Sequence, residues 1–199
     1  MSDTPVDTSK RTWLIASGCA GAVGAGFTAV PFVSSFQPSE RAKAAGAPVE
    51  ADISALKPGE KMTVEWRGKP VWIVRRTPEQ VAELPKIDAL LADPKSERKP
   101  DELTPQYARN EGRSIKPEYL VVVGICSHLG CSPSDKFQAG PQPSLPDNWQ
   151  GGFLCPCHGS TFDLAGRVFK NKPAPDNLEV PPHMFVSDTR LLIGEDKKA

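Results

Sequence analysis

The chain has 199 residues and a formal charge of zero at neutral pH, with 24 lysines and arginines against 24 aspartates and glutamates. That length allows one domain with its own core plus an appendage, and the composition is that of a globular protein, which excludes a disordered or fibrous chain. With no basic stripe, nothing points to nucleic acid as a partner.

No charged side chain occurs from Thr12 to Ser39, and Trp13 to Phe36 is almost wholly apolar or small. About 20 residues of helix cross the hydrocarbon core of a bilayer, so residues 13–36 predict a single transmembrane anchor. Gly18, Ala22 and Gly26 recur at four-residue spacing and would let another membrane helix approach closely. A cleaved export signal shares this order of features, but its apolar core is usually about 7 to 15 residues, shorter than this run.

Residues 1–12 form the tail ahead of the anchor, and Ser9-Lys10-Arg11-Thr12-Trp13-Leu14 resembles a twin-arginine export signal with lysine in the first arginine position. Such a signal carries proteins already folded around a cofactor, and implies a bacterial inner membrane with the following domain on the periplasmic side. Lys10 and Arg11 lie on one flank and Arg41 and Lys43 on the other, so the positive-inside rule does not choose an orientation. Residues 37–48 are small and polar and read as a flexible tether.

From Val49 the texture becomes all-β. Strand-like pieces run over Lys61 to Trp66, Val71 to Arg75, Tyr119 to Ile125, Arg167 to Phe169, Leu178 to Pro181 and Leu191 to Ile193, separated by proline and glycine. Pro78 to Leu91 suits short helices, and Ala92 to Asp101 reads as a charged, solvated loop. Pro85 to Pro117 carries no recognisable motif.

Chemistry concentrates in two boxes, Cys126-Ser127-His128-Leu129-Gly130-Cys131 and Cys155-Pro156-Cys157-His158-Gly159-Ser160. Four clustered cysteines admit two disulfides, a metal site or a mixture. Thiolates with imidazoles suit zinc or an iron-sulfur cluster, and a zinc site from Cys126, His128, Cys155 and His158 is chemically reasonable. Cys19 lies apart in the apolar run, and His183 is expected to be a structural or surface histidine.

The paired boxes closely resemble those of Rieske iron-sulfur proteins, including the second cysteine of each box and the Gly-Ser after the second histidine. The resemblance implies one 2Fe-2S cluster, with Cys126 and Cys155 on one iron and His128 and His158 on the other, a ligand pattern known for this centre. It also implies a disulfide between Cys131 and Cys157, which would persist only in an oxidising compartment. By the same resemblance Ser160 aims its hydroxyl at a bridging sulfide, Leu129 lines a quinol pocket, and Lys172-Pro173-Ala174-Pro175 matches a stiff loop covering the cluster. Phe162 departs from the many relatives with tyrosine there. Phenylalanine cannot donate to a ligand sulfur, so a lower reduction potential is expected.

The fold so implied is an antiparallel Rieske domain over residues 49–199, with a cluster-binding subdomain at about 119–175. The function implied is electron transfer in a quinol-oxidising cytochrome bc complex, dimeric by analogy. Ubiquinol would give one electron to this subunit and a proton to His158, His128 and Leu129 would flank the reacting quinol, and cytochrome b and a c-type cytochrome would be the partners. A Rieske subunit of another exported oxidoreductase, such as an arsenite oxidase, is the alternative. A soluble Rieske ferredoxin or oxygenase component would lack both the anchor and the disulfide cysteines.

Overall fold

The computed structural model describes residues 7–99 and 102–196, so the first six residues of the tail and the end of the 92–101 loop lie outside it. Two units are distinct, residues 1–44 and 45–199.

The first unit is dominated by helix α1, Thr8–Ser35, capped by Asp7, whose carboxylate accepts the amides of Ser9 and Lys10. At about 1.5 Å per residue its 28 residues exceed the roughly 30 Å of a bilayer's hydrocarbon core. The helix is long and apolar enough to cross a membrane, and it buries none of its residues in the protein. Ser9 to Leu14 form its opening turns. The expected tether is not wholly irregular, because Glu40–Ala45 forms a short helix, α2, braced by an ion pair of Lys43 with Glu40 at 2.7 Å. Alanine-rich sequence favours that turn of helix even without a core to bind it.

The second unit holds three antiparallel three-stranded sheets. Strands β2 (Lys61–Trp66), β3 (Lys69–Arg75) and β4 (Tyr119–Val123) form a meander whose first hairpin turns through Arg67 and Gly68. Strands β1 (Val49–Asp52), β9 (Arg190–Ile193) and β8 (His183–Phe185) form a second sheet that joins the two ends of the domain. Between β4 and β8 in sequence lies the third sheet, of β5 (Ser134–Lys136), β6 (Gly152–Leu154) and β7 (Thr161–Asp163). The cluster-box region is therefore an insertion in the base, as expected.

Strands β3 and β4 are buried on both faces, which is why they read as the unbroken apolar runs VWIV and LVVV. Val71, Ile73, Val121 and Val123 face the base core with Ala51, Leu191 and Ile193. Trp72, Val74, Leu120 and Val122 face the opposite core with Cys126, Phe153, Cys155 and Phe162. One sheet thus serves as the wall between two cores.

Two expected strands are corrected. Arg167 to Phe169 contributes only isolated bridges, Phe162 with Val168 and Leu91 with Phe169. Leu178 to Pro181 is irregular, its amides and carbonyls committed one at a time: Leu178 to Gly166, Val180 to Leu103, and Glu179 accepting from Val123. Apolar side chains at these positions fill the core without a ladder beside them. Five strands had no sequence signal because they are only three or four residues long. Pro78 to Leu91 does hold short helices, α3 (Pro78–Glu83) followed by a 3₁₀ segment, Leu84–Leu90.

Among the described residues, three arginines are fully buried. Arg113 donates to the carbonyls of Ala165, Gly166 and Leu178 and to the Thr104 hydroxyl. Arg76 donates to Gly112, Leu164 and Ser114, and Arg167 pairs with Asp163 at 2.8 Å and Asp88 at 2.7 Å. Burial lowers the Arg76 and Arg113 guanidinium pKa values to about 10, so both stay charged at neutral pH. His183 is also buried. Its Nδ1 lies 2.8 Å from the Pro181 carbonyl, so it is a structural histidine outside the cluster boxes.

Candidate metal centre

The two boxes fold alike. In the first, the Cys126 amide donates to the Cys131 carbonyl at 2.8 Å and the Gly130 amide to the Cys126 carbonyl at 3.1 Å. In the second, the Cys155 amide donates to the Ser160 carbonyl at 2.8 Å and the Gly159 amide to the Cys155 carbonyl at 3.0 Å. Each loop closes on a glycine at positive φ, +80° at Gly130 and +73° at Gly159. A Cβ at either glycine would meet nothing within 4 Å, so the backbone conformation and not the space demands glycine there.

This shared turn sends the leading cysteine of each box inward and its histidine to the rim. Cys126 and Cys155 are each 2% exposed and unbridged. His128 is half-buried and His158 exposed, their rings meeting edge to face at 4.7 Å. Leu129, at the tip beside them, is 70% exposed. Cys131 and Cys157 form a disulfide that ties the two loops together across 26 residues of chain.

The sulfurs of Cys131, Cys155 and Cys157 lie within 4.8 Å of one another. Two of those three are bonded to each other and offer no thiolate, so the free donors here are Cys126, Cys155, His128 and His158. His128 Nδ1 is buried and has no hydrogen-bond partner. A buried nitrogen lone pair left unmatched is costly, and a metal ion would satisfy it. The donors also come as two pairs at two depths, thiols inside and imidazoles at the rim. That layering suits a group with two metal ions better than one tetrahedral ion.

Burial pushes the Cys126 thiol pKa up, against the His128 amide and the Ser160 hydroxyl, which both donate to its sulfur. Ser160 is fully buried, and its oxygen also accepts the Ala174 amide at 3.0 Å, which fixes the direction of its own proton. Phe162 is buried in the same core as Cys126 and Cys155 and brings no polar group to either sulfur. The 172–177 loop reaches the first box too, because the Ser127 hydroxyl donates to the Asp176 carbonyl at 2.6 Å and accepts the Asp176 amide at 3.3 Å. Ser127 and Asp176 carried no sequence signal, since such pairings join residues 49 apart.

Residues 47–182 match the Rieske [2Fe-2S] domain, and residues 3–39 match the "Ubiquitinol-cytochrome C reductase Fe-S subunit TAT signal". The chain is 57% identical over 198 residues to the ubiquinol-cytochrome c reductase iron-sulfur subunit of Allochromatium vinosum, covering 99% of this chain and 94% of that one. It is 41% identical to the corresponding subunit of Bradyrhizobium diazoefficiens over 94% of each chain. Among solved structures, a chain of a hyperthermophilic respiratory Complex III matches at 26% identity and a TM-score of 0.46, covering 89% of this chain and 97% of its own. The apolar helix Thr8–Ser35 lies within this signal-type segment, and the two together support a single-pass membrane anchor. With a Rieske [2Fe-2S] domain behind that anchor, the chain belongs to the family of ubiquinol-cytochrome c reductase iron-sulfur subunits.

Proposed function

We propose that this chain is the electron-transfer subunit of a quinol-oxidising cytochrome bc complex, with Cys126, Cys155, His128 and His158 as the ligands of its 2Fe-2S cluster. The observation that carries the ligand set is the buried, unpartnered Nδ1 of His128 next to two buried free thiols. When bound, a Rieske cluster supplies a one-electron carrier with a potential of roughly −150 to +300 mV.

The chain's own residues do the rest. His158, exposed at the rim beside Leu129, is the side chain that takes a proton from ubiquinol, an imidazole being a nitrogen base that a quinol hydroxyl can reach there. His128 lies against it and Leu129 offers the quinol an apolar surface, so one small patch combines a proton acceptor with a dry contact. Ser160 directs its hydroxyl to the Cys126 sulfur, an interaction that stabilises extra negative charge there and favours reduction. The Cys131–Cys157 disulfide keeps the two boxes in register.

Cytochrome b and a c-type cytochrome are the partners, as in the complexes to which the relatives' names refer, and catalysis belongs to the assembled, dimeric quinol-cytochrome c oxidoreductase. The cluster domain faces the periplasm, and the 37–48 segment lets it move between partners. Electron paramagnetic resonance on ascorbate-reduced membranes tests the proposal, with and without an inhibitor of quinol oxidation. A Rieske-type signal that shifts with inhibitor is expected. A signal indifferent to inhibitor would reject the quinol site, and bound zinc without a signal would reject the cluster.

A further inference from the structure

The charged segment at 92–99 exposes Lys95, Glu97, Arg98 and Lys99 as a solvated loop would, but its turn is anchored from inside. Asp93 is 8% exposed and Ser96 3% exposed. The Asp93 carboxylate accepts the amides of Glu97 and Arg98 at 2.9 and 3.0 Å, which folds the segment into a tight turn. Ser96 and Lys99 both sit at positive φ, +54° and +47°. Such conformations are costly for residues with a Cβ and persist where the surroundings hold them.

What holds them is the loop over the metal centre. Asn177 donates to the Asp93 carbonyl at 2.9 Å and to the Ser96 hydroxyl at 3.1 Å. Arg98 donates to the Pro175 carbonyl at 2.7 Å, and Lys99 pairs with Asp176 at 2.6 Å. From its inner side the same loop bonds Ser127, between Cys126 and His128, and Ser160, beside Cys126. A continuous path therefore runs from surface charges, through residues 174–177, to both cluster boxes.

We propose that the 93–99 segment is a brace for the centre, with Lys99 and Arg98 as positioning residues that act through residues 174–177 and Ser127 to fix His128. This rests on the cluster reading above. Without the brace, the loop is held only from inside, and the Asp176 carboxylate loses its counter-charge. A surrounding made more negative by one charge disfavours reduction.

The test uses the full-length, cluster-loaded protein with Lys99→Met, Lys99→Arg and Ser127→Ala. Hydrogen exchange at residues 174–177, the resonance line shape and the midpoint potential are read in each. Lys99→Met is expected to speed exchange there about threefold, the scale of a partly exposed ion pair, and to change the line shape and lower the midpoint; Ser127→Ala, which loses two bonds to the Asp176 backbone, is expected to speed exchange and change the line shape. Lys99→Arg is expected to restore all three. Lys95→Met, which removes an equal charge from the same segment, is expected to leave exchange and line shape as in the wild type. Wild-type behaviour in Lys99→Met, or failure of arginine to rescue, would overturn the brace while leaving the cluster reading intact. A wild-type protein without a Rieske signal would overturn both.

Discussion

The two halves of the cluster-bearing domain are stabilised by different means. The base, β1 to β4 with β8 and β9, buries apolar side chains along strands of three to seven residues. The inserted half has three strands of three residues each. Its loops are held by side chains bonding backbone carbonyls, by buried arginines and by one disulfide. An apolar core tolerates small losses of volume, whereas a scaffold of directed polar contacts fails when one donor is removed.

The sharpest break would be Arg113→Met, which leaves the acceptors of Ala165, Gly166, Leu178 and Thr104 without their donor. A loss of about 3–5 kcal/mol is expected by chemical denaturation, and a loss under about 1 kcal/mol would refute the polar-scaffold account. Cys131→Ser opens the 26-residue link and should cost about 2–4 kcal/mol, with exchange rising in both boxes and not in β2 to β4. Uniform loosening of the domain would show that the halves do not differ.

Phe162→Tyr sharpens the comparison from within the inserted core. A hydroxyl donated to a ligand sulfur should raise the midpoint by roughly 40 mV, the one-electron equivalent of about 1 kcal/mol. An unchanged or lowered midpoint would leave Phe162 as packing alone.

The smallest effect belongs to the base. Burial lowers the His183 pKa, so the folded state holds the neutral ring. The unfolded chain binds a proton below about pH 6.5 and the folded one resists, so stability falls as pH drops through that value and is full above it. His183→Asn should flatten that slope in denaturation between pH 7 and 5, and an unaltered slope would assign it to other groups.

Legibility follows the same division. Strands β2, β3, β4 and β9 can be read because their side chains alternate or run apolar, and the cysteine-histidine boxes because thiol and imidazole have few other uses at that spacing. The strands of the insert cannot. Ser134–Lys136 is polar, and Gly152–Leu154 is too short for a period to show. Nor can the brace be read, since Lys99 and Asp176 stand 77 residues apart and a run of charges looks the same solvated or engaged. The 172–175 proline loop is recognisable by its order along the chain, but Asp176 and Asn177, which anchor it, have no pattern of their own.

Strand parity is also a reading frame for the metal site. On β4, Leu120 and Val122 face the cluster core, and the same even count continues to Cys126; on β6, Phe153 sets the odd count that continues to Cys155. Deleting one residue within 119–125 would turn the side chains beyond it to the opposite core and the first thiol toward the wrong one. The sheet that divides the domain therefore also indexes it, and an error of one residue in that index would be felt at both cores together.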